Sequence, residues 1–339
     1  MTDMPAVETC KLTKDYRSGF WRKRPRRVLD SLDLTVESGE TFGLLGPNGA
    51  GKSTTLKLFF RLIFPTSGSA RILGRDLSDL SSHARIGYLP ENPSFYDHLS
   101  AAEFLEFTAQ LFGLERRPAR ERSLRLLDYT GLTESKDLAI RKFSKGMVQR
   151  LGIAQALIND PDLIFLDEPM SGLDPVGRRE IRNLILHLRR EGKTIFFSTH
   201  ILADAETLCD RVAILNRGRL LGCGKLRDIL RMDISTTEMV LEKPSGQVLQ
   251  ELNPYARSMF RTGDLVRIEF DGEHDPNAML GTALACGARV VSLNPVKASL
   301  EDYFMAQVGE AARGAASSPS EETASPNDSS HRHNRVAHL

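Results

Sequence analysis

The stretch "GPNGAGKST", residues 46–54, decides the fold of this chain. It fits the pattern G-x-x-x-x-G-K-[ST], in which two glycines, Lys52 and Ser53 hold the fixed positions. The run "TFGLLG" before it is short and apolar, as in a strand buried on both faces. After it, "KSTTLKLFFRLI" predicts a helix that continues to Pro65. A glycine-rich loop between a strand and a helix is the context that a phosphate-binding loop requires.

The residue types of this loop predict binding of a nucleoside triphosphate. Glycines let consecutive backbone N–H groups turn inward around phosphate oxygens, where a Cβ would obstruct them. Lys52 supplies a positive charge for the β- and γ-phosphates, Ser53 offers a hydroxyl to Mg²⁺, and the helix N-terminus adds its positive dipole end. A glycine-rich turn without a ligand is the alternative, which the strand–helix context disfavours. The residues predicted to bind the nucleotide are Gly46, Pro47, Asn48, Gly49, Ala50, Gly51, Lys52, Ser53 and Thr54.

The stretch "DLIFLDEP", residues 162–169, places two acids at the end of a second strand. We predict that Asp167 holds Mg²⁺ through water and that Glu168 orients or deprotonates the attacking water. Two solvated acids after a strand are the alternative, which the nearby phosphate-binding pattern disfavours. Lys52 and Asp167 lie farther apart in sequence than one crossover between adjacent strands needs, and helical patterns at 92–143 account for the extra chain.

The order of strand-like and helical runs predicts the domain organisation. Strands such as "TIFFSTH" alternate with amphipathic helices, which is typical of an α/β protein with a parallel sheet. We expect a nucleotide-binding domain over residues 1–232, with a helical subdomain at about 92–150. Strand-like and helical runs over 233–309 predict a small accessory α+β domain. Residues 310–339 contain no aromatic, isoleucine or methionine residue and predict a disordered tail.

The composition argues against several classes of protein. The net charge of +1, from 45 basic and 44 acidic residues, gives no global attraction to nucleic acid or to an anionic membrane. The four cysteines form no CxxC pair and predict reduced thiols of a cytosolic protein. The N-terminus does not have the pattern of a signal peptide. The longest apolar run, at 278–288, is shorter than the about 20 residues of a spanning helix, so we expect a chain that does not cross a membrane.

The stretch "FSKGMVQRLGIAQAL", residues 143–157, resembles the LSGGQ signature of ATP-binding cassette (ABC) ATPases, the nucleotide-hydrolysing subunits of ABC transporters. The resemblance covers residues 7 to about 230 and implies a P-loop cassette fold with a mixed sheet and a helical subdomain. It also implies ATP and Mg²⁺ as cofactors. Ser144 is a good N-cap, so its hydroxyl and the first free N–H groups form an anion site. In the family this site, which here includes Gly146, binds the γ-phosphate held by a second subunit.

The resemblance assigns roles to three further segments. "STH", residues 198–200, resembles the switch-histidine motif, in which His200 contacts the γ-phosphate and Glu168. "SGLDP", residues 171–175, resembles the D-loop at the dimer seam. Tyr16 lies where the family places an aromatic residue that stacks on adenine.

Three residues depart from the family pattern. Glu91 occupies the position of the Q-loop glutamine; its carboxylate still offers oxygen to Mg²⁺ but adds a negative charge near the phosphates. Lys145 replaces the first signature glycine and opposes the helix dipole by about 0.3–1 kcal/mol. Met147 replaces the signature glutamine. The same substitutions, with the domain after the cassette, resemble the branch that serves polysaccharide and drug exporters.

The resemblance implies a subunit that dimerises around two Mg-ATP, as a homodimer, and powers a separate transmembrane permease from the cytoplasmic face of the membrane. We expect the permease to dock after Glu91, where Phe95, Tyr96, Phe104 and Phe107 form a groove or, alternatively, part of the subdomain core. The alternative function is a soluble ABC-type ATPase that acts on ribosomes or nucleic acid. A single phosphate-binding pattern and the absence of long heptad repeats disfavour it and predict no specific nucleic-acid partner.

Overall fold

The computed structural model describes residues 4–18, 24–229, 234–297, 300–301, 303–305 and 307. Its strands are β1 (Val7–Ser18), β2 (Arg24–Val36), β3 (Thr41–Leu45), β4 (Ser67–Ile72), β5 (Arg75–Asp76), β6 (Ile86–Leu89), β7 (Leu163–Asp167), β8 (Thr194–Thr199), β9 (Arg211–Asn216), β10 (Arg219–Lys225), β11 (Ile234–Glu242), β12 (Ala256–Thr262), β13 (Leu265–Asp271) and β14 (Arg289–Lys297). Its α-helices are α1 (Lys52–Phe59), α2 (Ala101–Leu111), α3 (Arg116–Tyr129), α4 (Lys145–Ala156), α5 (Pro175–Arg190), α6 (Leu202–Leu208), α7 (Leu226–Ile229), α8 (Gly246–Leu252) and α9 (Pro276–Ala285). The tail predicted at 310–339 lies outside the described residues.

The central sheet carries the phosphate-binding loop. Within the described chain it has six strands in the order β10-β9-β3-β8-β7-β6. All neighbours pair in parallel except β10, which runs antiparallel to β9, so the predicted mixed sheet is confirmed. Every residue of β3, β7 and β8 is buried, which explains why these strands are apolar runs. Alternate residues face opposite sides: Phe165 and Phe196 pack in one hydrophobic cluster, and Ile164 and Phe197 in the other.

Each face of the central sheet is covered by a different layer. On one face lie α1 and an antiparallel sheet in the order β2-β1-β4-β5; Val7, Leu34, Leu56 and Phe59 share its hydrophobic cluster with Phe196. On the other face, residues of α2 to α6 form a second cluster, which we call the helical core. The α/β cassette predicted from the sequence is therefore a three-layer arrangement that leaves the ends of the parallel strands free to carry loops.

Two helix boundaries differ from the sequence prediction. Helix α1 ends at Phe59, and Arg61 has a φ of 55°, so the prediction of a helix continuing to Pro65 was wrong. Past this end Phe60 and Ile63 still pack against the hydrophobic cluster, whereas Leu62 is 64% exposed and Phe64 is 61% exposed. Residues 92–100 are not helical; α2 begins at Ala101, where Ser100 and Glu103 form a capping box.

The part of the chain after the cassette has a hydrophobic core of its own. Strands β11, β13 and β14 appear where the sequence predicted them, and β12, which was not predicted, completes an antiparallel sheet in the order β12-β13-β11-β14. Met239, Ile268 and Phe270 pack in its core with residues of α8 and α9. After β14, the described residues between 300 and 307 are helical, and Leu300 belongs to the helical core. No helix in the described part of the chain is long and apolar enough to span a membrane.

Candidate nucleotide-binding site

The strand order brings three distant parts of the chain to one edge of the central sheet. Leu45 at the end of β3 pairs with Thr199 of β8, and Asp167 at the end of β7 pairs with Ser198. Parallel strands end at the same edge of a sheet, so the residues that follow them meet there. The glycine-rich loop, the acidic pair and His200 are therefore neighbours.

The loop backbone approaches neighbouring segments too closely for side chains. A Cβ on Gly46 would lie 2.2 Å from the carbonyl oxygen of Leu215. Gly51 has a φ of 115°, and a Cβ there would lie 3.0 Å from the carbonyl oxygen of Val28. Gly51 caps α1 without any side-chain hydrogen bond. The first N–H groups of α1 are therefore left to bind an anion.

Lys52 is held at the centre of the site by buried partners. Its side chain is 6% exposed, and Nζ donates to the carbonyl oxygen of Gly46 at 2.7 Å. The same ammonium lies 3.2 Å from Oε1 of Glu168. The other carboxylate oxygen of Glu168, Oε2, lies 2.8 Å from Nδ1 of His200. A continuous Lys52–Glu168–His200 chain thus joins the loop, the end of β7 and the end of β8.

Asp167 points to the start of α1. Ser198 Oγ donates to Asp167 Oδ1 at 2.5 Å, and Ser53 Oγ donates to the same oxygen at 3.5 Å. Burial raises the pKa of the Asp167 carboxyl, and the two hydroxyl hydrogen bonds oppose this shift. A cation bound between Ser53 and Asp167 would compensate the buried charge, so this pair fits a divalent metal ion.

Glu168 has a backbone conformation that is uncommon for a residue with a side chain. Its φ is 48°, and its N–H donates to the carbonyl oxygen of Ser198 at 3.1 Å. Strained φ/ψ values persist where the surroundings fix them and are concentrated at functional sites. The conformation turns Glu168 away from the strand direction and towards Lys52 and His200.

A cleft of about 590 Å³ lies over these groups. It collects most of the residues predicted from the loop, together with Glu91, Glu168 and His200. Val28, to which the sequence assigned no role, and Ser171, from the segment that resembles the D-loop, also line it. The lining residues are Val28, Asn48, Gly49, Ala50, Gly51, Lys52, Ser53, Thr54, Glu91, Glu168, Ser171 and His200.

Tyr16 is not among the residues that line this cleft in the described part of the chain. Its side chain is 37% exposed, and the ammonium of Lys14 lies 5.2 Å from the ring centroid. Val28, on the paired strand β2, lines the cleft instead. The contact of Tyr16 with adenine stays a prediction.

The signature segment lies at the start of α4 and does not line the cleft either. Ser144 is the N-cap, and its Oγ accepts a hydrogen bond from the N–H of Met147 at 3.3 Å. A Cβ on Gly172 would lie 2.2 Å from Nζ of Lys145, so this exposed lysine reaches from the signature to the segment that resembles the D-loop. One chain thus holds the phosphate-binding loop and the signature at separate places.

Two residues in or beside the site, Ser198 and Asp204, were not predicted from the sequence. Ser198 donates to Asp167 and also accepts from the N–H of Glu168 at 3.2 Å, so it couples the two acids. Asp204 is 1% exposed and accepts from Arg178 at 2.8 Å and from Arg182 at 3.1 Å. Ser198 belongs to "STH", and a polar residue at the end of a buried strand could have indicated its role. No sequence pattern indicated the role of Asp204, because its partners on α5 are distant in sequence.

The comparisons with known proteins agree with this geometry. A family model described as "ABC transporter" matches residues 29–171. An ABC transporter ATP-binding protein of Synechocystis sp. is 45% identical over 306 residues, 90% of this chain and 85% of that protein. The Nod factor export ATP-binding protein I of Cupriavidus metallidurans is 34% identical over 289 residues, 84% of this chain and 94% of that protein. A solved ATP-binding cassette, in a dimeric post-hydrolysis state with ADP and Pi, matches with a TM-score of 0.60 at 28% identity and covers 65% of this chain and 99% of that one.

Proposed function

This chain belongs to the family of ABC transporter ATP-binding proteins, and on that premise we propose that two copies of it hydrolyse Mg-ATP between them to power a separate export permease. That it is an ATP-binding ATPase subunit of the ABC type follows from the family. The roles of single residues, the metal ion, the second copy, the permease and the direction of transport are the proposal. The observation that carries it is the polar network at the phosphate-binding loop, in which the buried Lys52 and Glu168 contact each other and Glu168 contacts the partly exposed His200.

Each group in the cleft has a role that its position supports. Backbone N–H groups of 46–54 and the Lys52 ammonium bind the β- and γ-phosphates. Ser53 and Asp167 hold Mg²⁺, with Glu91 at the cleft wall as a further oxygen donor. The ion, when bound, neutralises charge on the phosphate oxygens.

Glu168 and His200 act on the water and on the γ-phosphate. Glu168 accepts a proton from the attacking water or orients it, because its carboxylate lies against the phosphate-binding lysine and is almost fully buried. His200 lies on the solvent side of Glu168, with its side chain 40% exposed, so it reaches both the carboxylate and an incoming γ-phosphate. When ATP is bound, Lys52 turns from Glu168 to the phosphates, which frees the carboxylate to act as a base.

A second copy of the chain completes the site. Ser144 and Gly146 do not line the cleft of their own chain. Gly146 has no neighbour within 4 Å of a Cβ position, so its backbone is open to an approaching ligand. The solved cassette that resembles this chain is a dimer with ADP and Pi. These facts support two composite sites in a homodimer, each built from one loop and the partner's signature.

A permease helix would bind to the exposed apolar side chains next to α2. Tyr96 is 55% exposed and Phe107 42% exposed, with ring centroids 6.0 Å apart. Phe104 is only 5% exposed and stacks edge-on with Phe95, so this half of the predicted groove belongs to the helical core. We define the docking surface as Tyr96, Phe107 and, one turn further along α2, the 71%-exposed Leu111. Such docking puts the chain at the cytoplasmic face of the membrane, and the export direction rests on the Nod factor export relative.

Substitution of Lys52 tests the proposal. Lys52→Ala removes a charged donor to phosphate and should weaken Mg-ATP binding on the order of 10–100-fold. Lys57→Ala is the matched control, because Lys57 is an exposed lysine on the same helix and should leave binding unchanged. Binding is measured by titration with ATP in the presence and absence of Mg²⁺. The proposal is contradicted if wild type and Lys52→Ala have equal affinity for ATP, or if the affinity of the wild type is the same with and without Mg²⁺.

A further inference from the structure

Helix α6 begins two residues after His200, so the position of this helix affects the position of the His200 side chain. The connection is short, and the N–H of Ile201 donates to Thr199 Oγ1 at 3.0 Å, which ties it to the end of β8. His200 contacts Glu168 at 2.8 Å through Nδ1. A shift of α6 along or across the sheet edge would change this contact directly.

On one side, α6 is fixed to α5 by a buried carboxylate. Asp204 accepts hydrogen bonds from the guanidinium groups of Arg178 and Arg182 and is 1% exposed. A buried charge with two charged donors resists displacement, because breaking either bond leaves a charge without a partner in a poorly solvated place. The α5 side of α6 is thus a fixed support.

On the other side, α6 is held by the chain that returns after the accessory domain. Glu206 Oε1 accepts a hydrogen bond from the N–H of Leu300 at 2.7 Å. Leu300 is 0% exposed and belongs to the helical core, as do Ala205 and Leu208 of α6. Tyr303 also packs against this core. Leu300, the first residue of segment 300–307, is therefore part of the packing of α6.

A glycine in β10 gives this segment a second contact. A Cβ on Gly222 would lie 2.8 Å from the hydroxyl oxygen of Tyr303, so the side chain of Tyr303 lies directly on the backbone of β10. The chain leaves the cassette after Ile229 at the end of α7, forms the accessory core, and is back on the cassette at Leu300. Both ends of the accessory domain are consequently attached to the cassette, since Ile229 and Leu300 both belong to the helical core.

We propose that Glu206 is a positioning residue and that segment 300–307 acts through it to keep His200 against Glu168, so that the chain after the cassette controls hydrolysis and not ATP binding. The proposal rests on the role of His200 in the proposed function. Releasing Leu300 would remove an amide partner from Glu206 and a buried side chain from the face of α6. The phosphate-binding loop leads from β3 into α1, and residues 46–54 have no described hydrogen bond with α6, so we expect affinity for ATP to be preserved.

The test compares two substitutions of Glu206 in the full-length protein. Glu206→Ala removes the acceptor and should lower kcat for ATP hydrolysis about 10-fold, because small displacements of catalytic groups cost up to ~100-fold, with Kd for Mg-ATP within about twofold of wild type. Glu206→Gln keeps an acceptor oxygen and should retain most of kcat. Asp79→Ala is the control; Asp79 also accepts from a backbone N–H, that of Ser81 at 3.0 Å, and it does not line the cleft.

Hydrogen exchange separates positioning from general destabilisation. Glu206→Ala and Leu300→Ala should accelerate exchange of the amides at 202–208 and leave those of α1 unchanged. Wild-type kcat in Glu206→Ala, a rise in Kd as large as the fall in kcat, or unchanged exchange at 202–208 overturns the proposal. If the wild-type protein itself binds no Mg-ATP, the proposed function fails, and exchange at 202–208 still decides whether segment 300–307 holds α6.

Discussion

The phosphate-binding loop and the signature segment both lead into a helix N-terminus, and the comparison between them shows how the site is divided. At the loop, the charged side chain is buried: Lys52 is 6% exposed and has partners in Gly46 and Glu168. At the signature, Ser144 and Lys145 are exposed, and the single described hydrogen bond of the Ser144 side chain is the local cap to Met147. Both helix starts offer N–H groups to an anion.

The difference in burial indicates which of the two helix N-termini has its functional partner residues within the same chain. The loop is assembled with the acids and the histidine by the strand order, so its chemistry is present in each copy. The polar groups of the signature lie on the protein surface. None of the described signature residues lines the nucleotide cleft of its own chain. Under the proposed function, such a surface gains its partners when a second copy supplies a bound phosphate.

Glu168→Gln gives the largest expected effect and tests the loop side of the comparison. Glutamine keeps the shape and can still bond to His200, but it cannot accept a proton from water. We expect hydrolysis to fall by ~10²–10⁴ while Mg-ATP binding remains. Phosphate release and nucleotide titration measure the two quantities. Glu191→Gln is the control, since Glu191 is a carboxylate partner of Tyr129 outside the cleft. If Glu168→Gln hydrolyses ATP at the wild-type rate, Glu168 is not the residue that orients or deprotonates the attacking water.

Mixing two inactive variants tests whether the signature acts on the loop of the other copy. Lys52→Ala and Ser144→Arg should each hydrolyse poorly alone, the first through lost phosphate contacts and the second because a long side chain covers the α4 N-terminus. In a mixed dimer one composite site keeps both wild-type residues, so an equimolar mixture should recover about a quarter of wild-type activity. Recovery requires exchange of subunits, which a mixture of differently tagged chains verifies by co-purification. Verified mixed dimers that stay inactive would show that the signature serves its own chain.

The loop was predictable because its determinants are contiguous in sequence. Strand, glycines, lysine and helix follow one another over residues 41–59, and each obeys a local rule. The acids at the end of β7 were predictable for the same reason. Their convergence on Lys52 needed one further assumption, that β3 and β7 are parallel strands of one sheet. The order β3-β8-β7 places β8 between them, and all three strands end at the same edge.

What could not be predicted depends on contacts between distant residues. The length of α1 is set by packing and by the turn at Arg61, whereas the apolar pattern runs on. Phe104 and Phe107 are three positions apart on α2, a spacing that puts both near one face, yet Phe104 is buried in the helical core and Phe107 is 42% exposed. The hydrogen bond from Leu300 to Glu206 joins residues with no shared pattern. Sequence periodicity identifies faces and elements, but it does not say which elements meet.

The smallest expected effect concerns Lys145 and its contact with Gly172, which ties the exposed signature to the D-loop-like segment of the same chain. Lys145→Ala should change hydrolysis by no more than about fivefold and raise stability slightly, because a cation at a helix N-terminus costs about 0.3–1 kcal/mol. Gly172→Ala should destabilise the wild-type chain, since φ is 66° there and the new Cβ would meet the lysine ammonium.

In the Lys145→Ala background that clash is absent, and the cost of Gly172→Ala should be smaller by about 0.5 kcal/mol. Urea unfolding of the four proteins of this double-mutant cycle measures the difference. If the changes in the free energy of unfolding are additive, Lys145 does not contact Gly172 in solution. The signature is then held by fewer contacts within its own chain than the structure shows.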